Sequence, residues 1–166
     1  LYNAFSKNTK RNVQKAKATG LYIKTGLSVG EFIDFYYSEI NKNHPKPRKE
    51  FVKELLKALK KHSVVELYGV YSAGNELISV LALLNYKKRL TYLLPYSNEK
   101  GKDTFDMFML VDEIIRKYAA KGYVLDFEGS GVAGIARFYQ GFGAIYKPYY
   151  EIQKHSIRLL LQRMRL

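Results

Sequence analysis

Between Val64 and Ser97 the chain runs through three apolar-rich segments in succession, VVELYGVYS, LISVLALLNY and RLTYLLPYS, separated only by AGNE and by the lysines of KKR. β-Branched and aromatic residues at this density suit pleated strands. Connectors this short force neighbouring strands to pair antiparallel, because a parallel crossover needs roughly a dozen residues or more. Gly74-Asn75 also carries hairpin turn chemistry. A three-strand antiparallel meander is therefore the centre against which the rest of the chain has to pack.

Helical patterns lie on both sides of it. SKNTKRNVQKAKATG reads as a basic helix with Ser6 as N-cap and Gly20 as its stop. LYIKTGL (21–27) alternates and suits a strand. Ser28-Val-Gly-Glu31 has capping-box spacing ahead of a helix whose Phe32, Phe35, Tyr36 and Ile40 share a face. Pro45 and Pro47 in NHPKP end that helix. A second amphipathic helix follows over Arg48 to His62, with Phe51, Val52, Leu55, Leu56 and Leu59 expected inside.

After the meander, Asp103 offers an N-cap for a long helix to Lys121, with Met107, Val111, Ile114 and Tyr118 on one stripe. YVLDFEG reads as a buried strand of the parallel type, apolar until its end. A helix over 132–141 and a final strand, AIYKPYYEIQ, complete the order. The tail SIRLLLQRMRL is a basic amphipathic helix whose Ile157, Leu160, Leu161 and Met164 can cover this core, a further domain or a partner. The order predicts an α/β architecture: a mixed sheet containing the meander, with helices on both faces.

A chain of 166 residues is one domain's worth. We expect a basic N-terminal helix at a linker or domain boundary (1–20), a main domain (21–155) and a C-terminal amphipathic helix (156–166). The first residue is Leu, which fits a segment of a longer protein whose N-terminal part is not included. Cysteine is absent, which excludes disulfides, thiolate metal sites and cysteine nucleophiles. His44, His62 and His155 are scattered and lack metal-ligand spacing, so no metal is expected. No apolar run approaches the roughly 20 residues of a membrane helix, and no secretory signal opens the chain, so a cytoplasmic location is the expectation.

Net charge is +13 and unevenly spread. Residues 1–30 carry Lys7, Lys10, Arg11, Lys15, Lys17 and Lys24 with no acid, and residues 42–61 carry a second basic cluster. Such a surface suits a polyanion (nucleic acid, anionic lipid or a phosphate-rich cofactor), or is a solvated face that keeps the protein dissolved.

Chemistry is concentrated in DFEGSGVAGIARFYQGFGA (126–144), where a strand delivers acids to a Gly-Ser turn and a helix brings Tyr139 close behind. The element order ending in ARFYQGFGA resembles the GNAT acyltransferase superfamily from Leu21 to Gln153. In that family the helix after the fifth strand carries a tyrosine motif, and Ala136, Tyr139, Gly143 and Ala144 fall on it here. DFEGS ahead of this motif, with the basic helix upstream, is similar to the Fem-like branch. That branch includes acyl-CoA N-acyltransferases and the aminoacyl-tRNA-dependent enzymes of peptidoglycan bridges, often with two tandem GNAT-like domains.

The resemblance implies acyl transfer from acetyl-CoA or a longer acyl-CoA to a primary amine, with Tyr139 as the acid. A phenol with a reference pKa of about 10 is protonated at neutral pH and can donate to a departing thiolate; Tyr139 can equally pack its helix onto the sheet. Glu128 is the candidate base and Asp126 a candidate acceptor contact, though both can instead serve the tight EGSG turn. Family position assigns the backbone of Leu93 and Leu94 to guiding the donor. It also assigns Lys100, Gly101 and Lys102, in the stretch Ser97–Asp103, to the donor's diphosphate, although the glycine pattern of that stretch is incomplete and Asp103 opposes phosphate. His44 in NHPKP lies where the family shapes its acceptor pocket.

Three functions follow: an acyl-CoA-dependent N-acyltransferase, an aminoacyl-tRNA-dependent transferase, in which the basic first helix meets tRNA or a preceding domain, and a non-catalytic scaffold. An acyl-CoA enzyme predicts a splay between the fourth and fifth strands, Tyr139 at its mouth, and open amides over 98–103.

Overall fold

The computed structural model describes residues 2–38 and 47–148. A 3-10 turn (Tyr2–Ala4) leads into α1 (Lys7–Ala18), β1 (Tyr22–Thr25), α2 (Val29–Ser38) and α3 (Lys49–Lys61). The meander is β2 (Val65–Tyr71), β3 (Leu77–Tyr86) and β4 (Arg89–Ser97), followed by α4 (Glu99–Asp103), α5 (Asp106–Tyr118), β5 (Val124–Asp126) and α6 (Ala133–Gly141). The strands lie in the order β1-β2-β3-β4-β5; the first four are antiparallel and β5 runs parallel to β4.

Side-chain alternation along β3 divides the core between the two faces. Val80 and Ala82 meet Phe32, Ile33, Val52 and Leu56 from α2 and α3. Leu81 and Leu83 meet Val13, Ala16, Leu110 and Ile114 from α1 and α5. A strand buried on both faces has to be apolar at every position, which is why LISVLALL contains only one polar residue.

The expected local signals operate. Ser6 caps α1 by accepting from the Thr9 amide at 3.1 Å, and Gly20 ends it at φ +73°. Ser28 and Glu31 form the reciprocal capping box, at 2.9 and 3.1 Å. The basic α1 is packed into the core through Val13 and Ala16, and its Ser6 amide bonds the Gly141 carbonyl at 2.8 Å.

Several expectations are corrected. The long helix starting at Asp103 is two helices: Asp103 ends α4, Phe105 turns the chain at φ +58°, and α5 starts at Asp106. The buried residues of α5 are Asp106, Met109, Leu110, Val111, Asp112 and Ile114, so Val111 and Ile114 are buried as expected, while Met107 and Tyr118 are only half-buried. Phe51 lies on the outer side of α3, 63% exposed. β5 is three residues long and pairs only with β4 among the described residues, leaving Val124 exposed. Residues 144–148 form no strand; the remainder of AIYKPYYEIQ, the SIRLLLQRMRL tail, Ile40 and His44 lie outside the described residues.

Candidate active site

β4 and β5 are joined over three residue pairs, Arg89 with Val124, Leu90 with Leu125 and Thr91 with Asp126. Beyond them the strands part. β5 stops at Asp126, whereas β4 continues to Ser97 paired only to β3 among the described strands. The register on β3 shifts between Ala82, opposite Leu94, and Leu83, opposite Tyr92. Leu93 is therefore the extra residue of a β-bulge, and its backbone is released from regular pairing at the mouth of the opening. The bulge falls on the position assigned to donor guidance.

Tyr92 and Phe127 are the first residues past the paired segment, and α6 lays Tyr139 over both. The Tyr139 ring stacks on Phe127 at 4.5 Å with an 18° interplanar angle, and meets Tyr92 edge-on at 6.0 Å. Tyr92 is held in turn by a 3.3 Å hydrogen bond from its hydroxyl to Met107 Sδ. Burial raises the Tyr139 pKa above the usual phenol value, and the charge of Glu128 adds to the rise. The hydroxyl therefore stays protonated throughout the neutral range.

Glu128 follows Phe127 at φ +61°, in the left-handed region where a side chain is rarely found without local support. Its amide donates to Asp126 Oδ1 at 2.9 Å, which supplies that support. The strand has ended between the two acids, so they do not share a face as continuous strand would require. The Glu128 carboxyl titrates above its ordinary value, through burial first and then the Asp126 charge. Asp126, the candidate acceptor contact, forms an ion pair with Arg89, whose Nε also donates to Oδ2 at 3.1 Å.

The 97–103 stretch is a closed turn. Asn98 caps α4 by accepting from the Gly101 amide at 2.9 Å, its own amide donates to Ile78 O at 3.0 Å, and the Lys102 amide returns to Asn98 O at 3.0 Å. Three of the amides expected to be open are thus engaged internally. Lys100 pairs with Glu76 and Lys102 with Glu99. Beneath the turn lies Asp106, 1% exposed. Its carboxylate accepts from Ser79 Oγ, from Ser97 Oγ at 2.6 Å and from the Met107 amide at 2.5 Å. A Cβ at Gly101 would overlap Asp106 Oδ2. Sequence reasoning missed Asp106; its one signal was an acid in helical line with Leu110 and Ile114.

Tested against an acyl-CoA, the acyl end fits: a parted strand pair, a bulged backbone at Leu93 and a protonated phenol converge there. At the diphosphate end the amides of Asn98, Gly101 and Lys102 are engaged internally, and Lys100 and Lys102 stand in solvent-exposed ion pairs. A cavity of about 780 Å³ lies along β5 and the second half of α5, lined by Tyr2, Ile115, Tyr118, Leu125 and Phe142 among others, and includes neither Tyr139 nor Glu128. Among the described residues no cluster could hold a metal ion, and no helix is long and apolar enough to cross a membrane.

Solved structures share this architecture at low identity. FemX superposes with a TM-score of 0.71 at 12% identity over 86% of this chain, which spans only 55% of the FemX chain. The aminoglycoside acetyltransferase HMB0005, from an uncultured soil metagenomic sample, gives a TM-score of 0.55 at 14% identity, covering 82% of this chain and 99% of that one. A predicted acetyltransferase from Clostridium acetobutylicum, solved with acetyl-CoA, gives 0.57 at 7%, covering 84% and 97%. No curated protein matches the chain. The model of the acetyltransferase (GNAT) domain matches residues 4–139, most of the sequence. With the mixed sheet, the parted strands and Tyr139 on the following helix, that match shows that the chain belongs to the GNAT acetyltransferase family.

Proposed function

We propose that this domain transfers an acyl group from an acyl-CoA, acetyl-CoA first among them, to a primary amine, with Tyr139 as acid and Glu128 as base. The observation that carries the reading is the seating of Tyr139 on Phe127 and Tyr92, at the point where β4 and β5 part. The thioester supplies the activated acyl group, and Leu93 and Leu94 guide it along the bulged β4. Glu128 takes the proton the amine sheds as nitrogen bonds to the acyl carbon. As the carbon–sulfur bond breaks, Tyr139 donates its hydroxyl proton to the sulfur. Return of the proton from Glu128 to the Tyr139 oxygen restores both groups, so the net transfer is one proton from amine to thiol. The balance requires Glu128 to be ionised and Tyr139 protonated at the start; the raised Tyr139 value keeps its hydroxyl protonated near neutral pH, and the raised Glu128 value makes its carboxylate a stronger proton acceptor once ionised.

The test is thiol release from acetyl-CoA by purified protein with a panel of primary amines, paired with calorimetric titration of the thioester alone. Release that depends on the amine supports the reading. Neither heat nor thiol from any acyl-CoA would overturn it.

A second reading keeps the chemistry and takes the acyl group from an aminoacyl-tRNA. It is favoured by the internally closed 98–103 turn and by the exposed Lys7 and Arg11 on α1. Binding of tRNA that weakens steeply with added salt is its signature.

A further inference from the structure

Asp106 is a buried acid that the proposed chemistry does not use, placed under the turn that corresponds to the donor's diphosphate end. Three polar groups crowd together there: the hydroxyls of Ser79 and Ser97 and the Asp106 carboxylate, with each pair in hydrogen-bond contact and the two hydroxyls 2.5 Å apart. Two hydroxyls supply two hydrogens, but the three contacts need three. An ionised carboxylate leaves one contact without a hydrogen, and a protonated carboxyl supplies it.

The ionised form also places a negative charge at the first turn of α5. There it takes the Met107 amide and offsets the positive end of the helix, which would otherwise favour an external anion. Gly101 admits no side chain between the turn and this carboxylate, so an anion resting on the turn stands close to it.

We propose that Asp106 determines donor affinity: its negative charge opposes the diphosphate of the acyl donor, and its protonated form admits it. The inference rests on the acyl-CoA reading and on the 97–103 turn being the diphosphate end of the cleft. Other groups around Asp106 do not perform this switch. Lys102 faces it from α4 with a raised pKa, and Tyr92 faces it from β4 with a pKa well above the usual phenol value. β3 contributes only the neutral Ser79, while Glu76, Glu99, Lys100 and Asp103 lie on the solvent side of the turn. Asp106 itself titrates at about 6, raised by burial against the opposing effects of Ser97, the Met107 amide and Lys102.

The experiment is calorimetric binding of acetyl-dephospho-CoA and of acetyl-pantetheine to the wild type and to Asp106→Asn. The first ligand has the diphosphate but lacks the phosphomonoester, whose own ionisation at about pH 6 would overlap. The second lacks phosphate altogether. At about pH 8 the variant should bind acetyl-dephospho-CoA about tenfold more tightly than the wild type, the effect expected for removing one nearby like charge. Acetyl-pantetheine should bind both proteins equally. The wild type alone should gain affinity for the diphosphate ligand as pH falls to about 5.5, a series that requires no variant to fold. Equal or weaker binding by Asp106→Asn at the higher pH overturns the inference, as does a parallel change with acetyl-pantetheine. If both proteins bind acetyl-pantetheine but neither binds acetyl-dephospho-CoA or acetyl-CoA at either pH, the acyl-CoA reading fails and the inference with it.

Discussion

Tyr139 stacks on Phe127 at 4.5 Å, and Phe127 is the residue at which β5 leaves the sheet. The tyrosine is thereby aligned with the end of the strand rather than with the middle of its own helix. The stack secures the ring independently of the hydroxyl, so position and chemistry can be separated by mutation.

Tyr139→Phe keeps the stack and removes only the donor. Turnover should fall by about 10²–10⁴, the usual contribution of a positioned acid. The thermal midpoint should stay near that of the wild type, because the ring contacts remain. A variant that retains full thiol release would show that Tyr139 acts only in packing.

With Glu128 as the proposed base, its ionisation should set the acid limb of the pH profile. A base works only when ionised, so kcat at saturating donor, which does not carry the effect of Asp106 on donor binding, should rise with pH through the Glu128 value, which lies above the ordinary glutamate value. Glu128→Gln should lose that limb and much of the rate, by about 10²-fold or more if no water substitutes. Rate measurements from acid to neutral pH on the two proteins decide this; superimposable profiles would remove Glu128 from the chemistry.

Ionised Asp106 is a stability cost. Its folded value of about 6 exceeds the ordinary 3.8, so between those values the folded chain holds a proton that the unfolded chain has released. The contribution to stability is therefore most favourable below 3.8, declines as pH rises to about 6, and stays reduced above it. Asp106→Asn removes this cost and should raise the unfolding free energy at neutral pH by about 1–3 kcal/mol. In urea titrations the gain should vanish at the acid end; a gain of the same size at every pH would contradict a titrating carboxyl.

Two glycines should respond oppositely to alanine. Gly101→Ala drives a methyl into Asp106 Oδ2 and toward Ser97 Oγ, and should cost about 1–3 kcal/mol as overpacking. Gly134→Ala on α6 meets nothing within 4 Å and should be neutral or stabilising by up to about 1 kcal/mol. Chemical denaturation of the two variants tests the close approach of the turn to Asp106.

Much of the candidate site was legible because its signals are local. Tyr139 and Glu128 were singled out as candidates from a strand, a Gly-Ser turn and a helix that are contiguous in sequence, and the structure brings Tyr139 to the opening. The closed state of the 98–103 turn was not legible, because it depends on Ile78 and Glu76 from the neighbouring hairpin. The ion pair of Asp126, the candidate acceptor contact, with Arg89 was not legible either, because Arg89 is distant in sequence. The bulge at Leu93 arises from the register between β3 and β4, a property of the pair that neither strand carries alone.

The sequence by itself determined the elements and their order. Apolar alternation, capping residues and short connectors act over a few positions, so the meander, the capping box at Ser28 and the helix carrying Tyr139 could be read directly. Tertiary structure alone decided which partners and surroundings the charged residues have. Whether a carboxylate is a base, a structural partner or a buried cost depends on which distant groups share its low-dielectric surroundings. That separates Glu128, which stands at the opening, from Asp126, paired with Arg89, and from Asp106, enclosed beneath the turn by Ser79 and Ser97.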